Sequence, residues 1–278
     1  MKFHKIKSHA KINLSLNILG KLKSKLHKIE SLVSFITLCD DIFIKKIKSK
    51  NHKVIFKGKF SKKITKNNSI TNLLKILDEK KKLKNEKYLI LVKKNIPQRS
   101  GLGGGSMNAA SIIKYLQVKQ KINLKKNEFI KIISKIGSDV VLGMNQKNSA
   151  IYKNNELKII NKNFSLFTLL VKPNFGCSTS KIYKNVKNFS ISSLRNIKIS
   201  NLNNKFLSRL NNDLEKPTFN KYKKLKSIKM FMKKIDNVLF VRMTGSGSTI
   251  VCYFNSKKSA LNARKILKKN YKNYWCNL

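Results

Sequence analysis

The chain has 278 residues, enough for two modest domains, and its 41% apolar composition supplies a core, which excludes a disordered or fibrous protein. A formal charge of +50 would ordinarily point to nucleic acid, but 57 of the 62 basic residues are Lys, 33 residues are Asn and only 6 are Ala. AT-rich codons account for all three trends together, whereas a nucleic-acid binder draws on Arg, whose planar fork grips phosphate and guanine. No nucleic-acid partner is therefore expected, and the charge is read as steering anionic substrates.

The longest apolar run, Phe164 to Val171, is interrupted by Ser165 and Thr168 and falls well short of the ~18 residues of a membrane span. The first residues alternate polar and apolar side chains instead of forming the continuous apolar stretch of a secretory signal. These features predict a cytoplasmic protein with no membrane partner. Cys39, Cys177, Cys252 and Cys276 lie far apart without a CxxC pair, and the histidines form no HExxH, so reduced thiols and no transition-metal site are expected.

In chain order, Ala10 to Ile18 alternates in period two and reads as one strand. A polar turn follows over Lys23 to His27, then an apolar stretch from Leu32 to Leu38 and short strands at Ile42 to Ile47 and Val54 to Phe56. Ser69 to Leu83 carries Ile70, Leu73, Leu74 and Leu77 at helical spacing, with Ser69 as the expected N-cap. Strand Tyr88 to Val92 runs into a glycine cluster, after which helical spacing resumes through Ala109, Ile112, Ile113 and Leu116. A helix over Lys126 to Ile136 leads to the turn Gly137 to Val141, and Asn145 to Asn155 reads as a polar connection. Strand Phe167 to Lys172, an Asn- and Lys-rich helical region, strands Val238 to Met243 and Thr249 to Phe254, and a helix over Ser256 to Lys269 complete the chain. Strands and helices mix without strict βαβ alternation, which predicts an α+β fold.

The segment Pro97, Gln98, Arg99, Ser100, Gly101, Leu102, Gly103, Gly104, Gly105, Ser106, Met107 joins a strand to a helix start. Glycines let the backbone approach phosphate closely, and the helix N-terminus adds its dipole, so this loop reads as an anion site, with a glycine-rich turn that holds no ligand as the alternative. Ser100, Ser106 and Asn108 can add hydrogen bonds or reach a metal ion carried by the phosphates. A Walker loop is excluded because no GK[ST] follows the glycines. A dinucleotide fingerprint fits only loosely, since Lys94, Pro97 and Arg99 intervene after the strand. By spacing alone Asp139 is a turn or capping Asp, Lys11 a solvated lysine and His27 an ordinary loop histidine.

The segment PQRSGLGGGSMNAAS resembles the central motif of the GHMP kinases, and in its GGGS-N-A-A form the branch acting on 4-diphosphocytidyl-2-C-methylerythritol. HAKINL at His9 to Leu14, the helix from Ser69 to Leu77, GSDVV at Gly137 to Val141 and RMTGSGS at Arg242 to Ser248 resemble further segments of that family in the same order. Its G-Y-H signature appears as Lys25, Leu26 and His27, so the usual Tyr is absent. His9, Met107 and Val141 also depart from the pattern.

The resemblance implies a two-domain fold with mixed sheets and the active site in the cleft between domains, residues 1–156 forming the ATP-binding domain and 157–278 the C-terminal one. It implies transfer of a phosphoryl group from ATP, accompanied by Mg²⁺, to the 2-hydroxyl of the methylerythritol unit of a small cytidine-diphosphate substrate. Asp139 becomes the base and Lys11 its partner at the accepting hydroxyl. Pro97 to Met107 hold ATP, with Asn68, Ser69 and Lys94 toward the adenine. Asn13, His27, Tyr183 and Gly245 line the substrate, His27 and Tyr183 at the cytosine. A monomer or homodimer is expected, and no metal ligand is assigned. A homoserine or mevalonate kinase, a decayed kinase that only binds ATP and a basic nucleic-acid-binding protein remain the alternatives.

Overall fold

Period-two alternation extends the first strand toward the N-terminus but does not carry it through Ile18. In the computed structural model, which describes residues 2–22, 26–120, 122–152, 156–194 and 197–278, the expected strand is two strands: β1 (His4–Asn13) and β2 (Asn17–Lys21). The break has a local cause. The N–H groups of Leu14 and Ser15 both donate to the carbonyl of Leu32, at 2.7 and 3.3 Å, and Leu16 turns its N–H to Asn211. Two residues thus face one, which ends the ladder.

The next strand, β3 (His27–Ile47), runs for 21 residues and absorbs the apolar stretch and the short strand expected separately. Of the polar turn at 23–27, residues 23–25 lie outside the described residues. After it come β4 (Lys53–Lys57), α1 (Ser69–Glu79), β5 (Lys87–Lys93), α2 (Gly104–Lys119), α3 (Lys126–Ile136) and α4 (Val140–Gly143). Asn68, not Ser69, caps α1: its Oδ1 accepts from Ile70 N–H at 3.0 Å and Thr71 N–H at 3.2 Å, and Thr71 Oγ1 accepts from Asn68 N–H. This reciprocal box satisfies donors that Ser69, already inside the helix, leaves open.

The remaining elements are β6 (Ser149–Ile151), β7 (Leu157–Ile159), β8 (Phe167–Lys172), α5 (Thr179–Lys184), a 3₁₀ turn (Ile199–Asn201), α6 (Asn204–Arg209), α7 (Glu215–Lys221), α8 (Lys223–Lys233), β9 (Phe240–Met243), β10 (Ile250–Phe254), α9 (Lys257–Asn270) and β11 (Trp275–Asn277). The polar connection expected over 145–155 contains β6, which pairs antiparallel with β3 from Ser31↔Ile151 to Val33↔Ser149. Its polarity serves the fold: Asn148 accepts from Ser34 Oγ and donates to the carbonyl of Lys162, each at 2.7 Å. Residues 153–155 of that connection lie outside the described residues.

The chain divides into two compact units. Residues 1–11, 35–98 and 103–146 form one, and residues 12–34, 99–102 and 147–278 the other. In the first, β3 pairs antiparallel with β5 from Asp41↔Lys93 to Ile47↔Lys87, and β5 pairs parallel with β4. Ile42 and Ile44 of β3 and Tyr88, Ile90 and Val92 of β5 point inward against Leu73, Leu77, Ile112 and Ile113 of α1 and α2. In the second, β11, β8, β10 and β9 form an antiparallel sheet in that order. Leu169, Val171, Ile250 and Cys252 of this sheet pack against Leu225, Ile228 and Met232 of α8 and Ala263 and Leu267 of α9. No helix among the described residues is long and apolar enough to cross a membrane.

Candidate functional site

Within the first unit Lys11 and Asp139 meet. Lys11 Nζ lies 3.2 Å from Asp139 Oδ2, with the lysine side chain 5% exposed and the aspartate 32%. Asp139 stands at the N-terminus of α4 but its side chain makes no capping bond, so the cap reading does not describe it. About a third of the aspartate side chain stays open to solvent, beside a nearly buried ammonium.

The glycine loop reaches the same lysine. Gly103 adopts φ +71°, and a Cβ there would stand 3.0 Å from Lys11 Cγ and 3.2 Å from Cε. Only glycine allows this approach and this backbone conformation together. From Gly103 the chain enters α2, whose first turn carries no side-chain cap, leaving its N–H groups for an external acceptor. Ser106 Oγ lies close to the Gly137 turn that precedes Asp139, and Ser69 Oγ close to Gly105. Met107 is fully buried against Gly143 of α4, so its side chain belongs to the core and only its backbone belongs to the loop. Gln98 donates to the carbonyls of Phe60 and Lys62, each at 2.8 Å, which holds the loop entrance to the segment after β4. Asn68 spends its side-chain oxygen on the α1 cap. Lys94 and Asn108 are both buried and both hydrogen-bond Asp40.

Asp40 escaped sequence reasoning. Its signal shows only once β3 is continuous: there it alternates with Ile42 and Ile44, so its carboxylate enters the core, where an acid requires partners.

The second unit gathers the other candidates in two places. Asn13 is buried; its Nδ2 donates to Ser31 Oγ at 2.8 Å and its backbone N–H to Thr244 Oγ1 at 3.1 Å. Thr244 Oγ1 also donates to the carbonyl of Gly101 at 3.1 Å, and Gly101, at φ +76°, lies so close that a Cβ would stand 2.1 Å from Thr244 O. Gly245 packs on Gly101 in turn, within 3.6 Å of Asn13 Oδ1 as measured from an added Cβ. The segment at 99–102, including buried Ser100 and Leu102, is thus fixed to the loop after β9. Arg99, at φ +48°, packs against Gly176. Ser31 is a further residue that sequence reading left unnamed, since an isolated hydroxyl carries no spacing signal, and Thr244 entered only as part of the RMTGSGS segment, without a role of its own. Arg242 holds this region by donating to the carbonyls of Leu14, Leu207, Ser208 and Leu210; burial pulls its pKa down.

His27 and Tyr183 come together in the same unit, ring centroids 5.1 Å apart at 49°. His27 Nε2 is buried without a hydrogen-bond partner among the described residues. Burial first, and the charge of Lys21 second, hold its pKa below the ordinary histidine value, so the ring is neutral near pH 7. A neutral imidazole with an unsatisfied nitrogen beside an aromatic ring suits a flat polar ring better than an anion.

Residues 68–151 match the family described as GHMP kinases N terminal domain, and residues 191–273 match GHMP kinases C terminal. The chain is 50% identical over 276 residues to the 4-diphosphocytidyl-2-C-methyl-D-erythritol kinase of Pelagibacter ubique, covering 99% of this chain and 98% of that protein. It is 31% identical to the enzyme of the same name from Clostridioides difficile, over 98% of this chain and 94% of the relative. Among solved structures, a 4-(cytidine 5'-diphospho)-2C-methyl-D-erythritol kinase superposes with a TM-score of 0.76 at 21% identity, covering 98% of each chain. A homoserine kinase from Cytophaga hutchinsonii follows at 0.67 and 14%, covering 100% of this chain and 93% of the other.

Proposed function

The chain belongs to the GHMP kinase family, and we propose that Asp139 and Lys11 are the residues with which it moves a phosphoryl group from ATP. It is an ATP-dependent kinase that phosphorylates the 2-hydroxyl of 4-(cytidine 5'-diphospho)-2-C-methyl-D-erythritol in the non-mevalonate isoprenoid pathway. The 3.2 Å pairing of Lys11 with a half-open Asp139 carries the residue assignment.

Phosphoryl transfer asks the protein for alignment, a proton acceptor and positive charge near the migrating group. Asp139, partly exposed, takes the proton of the hydroxyl. Lys11 holds the hydroxyl and stabilises negative charge as it develops. The N–H groups at the start of α2, together with the backbone of Pro97 to Met107, receive the ATP phosphates. Asn68 and Ser69 lie toward the adenine, while Lys94, whose Nζ lies beside Gly104 at the start of α2, faces the phosphates. Asn13 and Gly245 line the methylerythritol unit, and His27 and Tyr183 take the cytosine, the neutral His27 ring offering Nε2 to the base edge.

Mg²⁺ accompanies ATP in this reading. Among the described residues no three His, Cys, Asp or Glu side chains converge on a metal position. Mg²⁺ favours phosphate oxygens and water as ligands, and the Ser106 hydroxyl on the first turn of α2 could reach an ion carried by the phosphates. Such an ion would neutralise phosphate charge.

The test is ATP consumption by the purified chain with the cytidine-diphosphate substrate, homoserine or mevalonate as acceptor. Turnover is expected with the first alone. Turnover with homoserine or mevalonate instead would overturn the substrate assignment.

A further inference from the structure

Asp40 has no exposed surface, and its carboxylate is saturated with donors. Oδ1 accepts the backbone N–H groups of Asn95 at 2.8 Å and Ile96 at 2.9 Å. Oδ2 accepts Lys94 Nζ and, at 3.0 Å, Asn108 Nδ2. Asn95 and Ile96 lead into the glycine loop, and Asn108 lies on the helix that leaves it. One buried carboxylate therefore ties the entrance of the loop to its exit.

The cation held there stands in an adverse place. A Cβ built on Gly104 would lie 3.3 Å from Lys94 Nζ, so the ammonium is pressed against the first turn of α2, where the helix dipole is already positive. Burying a cation at that end costs stability unless a counter-charge accompanies it, and apolar side chains would fill the same volume at least as well. An ammonium maintained at a helix N-terminus serves an incoming anion, not the helix.

We propose that Asp40 is a positioning residue for ATP: it presents Lys94 at the start of α2 and sets the backbone on both sides of the glycine loop. This rests on the kinase reading above and extends it to a residue that touches neither substrate.

Asp40→Asn keeps the shape and the Oδ1 acceptor while removing the charge that holds Lys94. Titration of ATP into the full-length variant, followed by steady-state kinetics, is the test. ATP affinity should fall about tenfold and KM for ATP rise equally. KM for the cytidine-diphosphate acceptor should stay within about twofold, and kcat at saturating ATP within about threefold. Unchanged ATP affinity, or a drop in kcat with both KM values unchanged, would overturn the proposal, because a merely structural role lowers only the amount of active protein. If Asp40→Asn does not accumulate as folded protein, the same readout on Asp40→Asn with Lys94→Met, which removes both charges together, decides it: raised KM for ATP supports the proposal and a normal KM sinks it. Wild-type protein that neither binds nor consumes ATP would defeat the kinase reading itself, an outcome distinct from these.

Discussion

Two lysine–aspartate pairs in the same unit use identical chemistry in opposite ways. Lys94 and Asp40 are both buried, and the carboxylate is saturated by four donors from two stretches of chain. In the other pair Lys11 is nearly as buried, but Asp139 keeps about a third of its surface open and makes no capping bond. A saturated carboxylate can only hold; an open one beside a cation can accept a proton from something that arrives. Burial and donor count, more than residue type, separate structural from chemical ion pairs.

The comparison breaks first, and by the largest margin, at Asp139. Asp139→Asn should lower kcat by about 10³-fold, within the range for loss of a general base, while ATP affinity stays near wild type. Single-turnover kinetics and ATP titration check both, and a retained rate would remove Asp139 from the chemistry. The same variant sharpens the contrast in stability. Asp40→Asn should cost about 3 kcal/mol in urea unfolding by stranding a buried ammonium, and Asp139→Asn under about 1 kcal/mol. Equal losses would show that the two pairs do the same job.

His27 offers a neutral counterpart of the open carboxylate, a buried nitrogen without a partner among the described residues. His27→Ala should raise KM for the cytidine-diphosphate acceptor about tenfold with kcat and KM for ATP little changed. An unaltered KM would take the ring out of the cytosine pocket.

The smallest effect belongs to a saturated neutral group. His52 Nδ1 accepts the N–H of Tyr88 and Nε2 faces Asp78 Oδ2, each at 3.0 Å, and burial holds its pKa below the ordinary value despite the raising effect of Asp78. The folded chain then binds fewer protons than the unfolded one as pH falls below about 6.5. The contribution is therefore complete above that pH and is lost on acidification toward the folded value. His52→Gln should flatten the fall of Tm between pH 7 and pH 5.5. An identical slope in the variant would exclude His52 as its source.

Much of this was legible without coordinates. Lys126 to Ile136 and Phe167 to Lys172 form the helix and strand that their spacing predicts, and the glycine loop lies between a strand and a helix start. The misreadings share a cause. Ala10 to Ile18 breaks because of bonds to Leu32 and Asn211, and β6 hides in a polar segment because Asn148 is satisfied by Ser34 and Lys162. Neither partner is local, so neither leaves a mark on local periodicity.

The same division runs through the site. The order of motifs identified the family, whereas Asp40 fell between the apolar stretch ending at Leu38 and the strand expected from Ile42, and only the continuous β3 turns it to the core. Tertiary structure decided that Asp40 is saturated while Asp139 remains half open, that Lys11 pairs with Asp139 among 57 lysines, and that Tyr183 faces His27. Periodicity is a property of neighbouring residues, whereas the number of donors around a charge depends on where distant segments of the chain return.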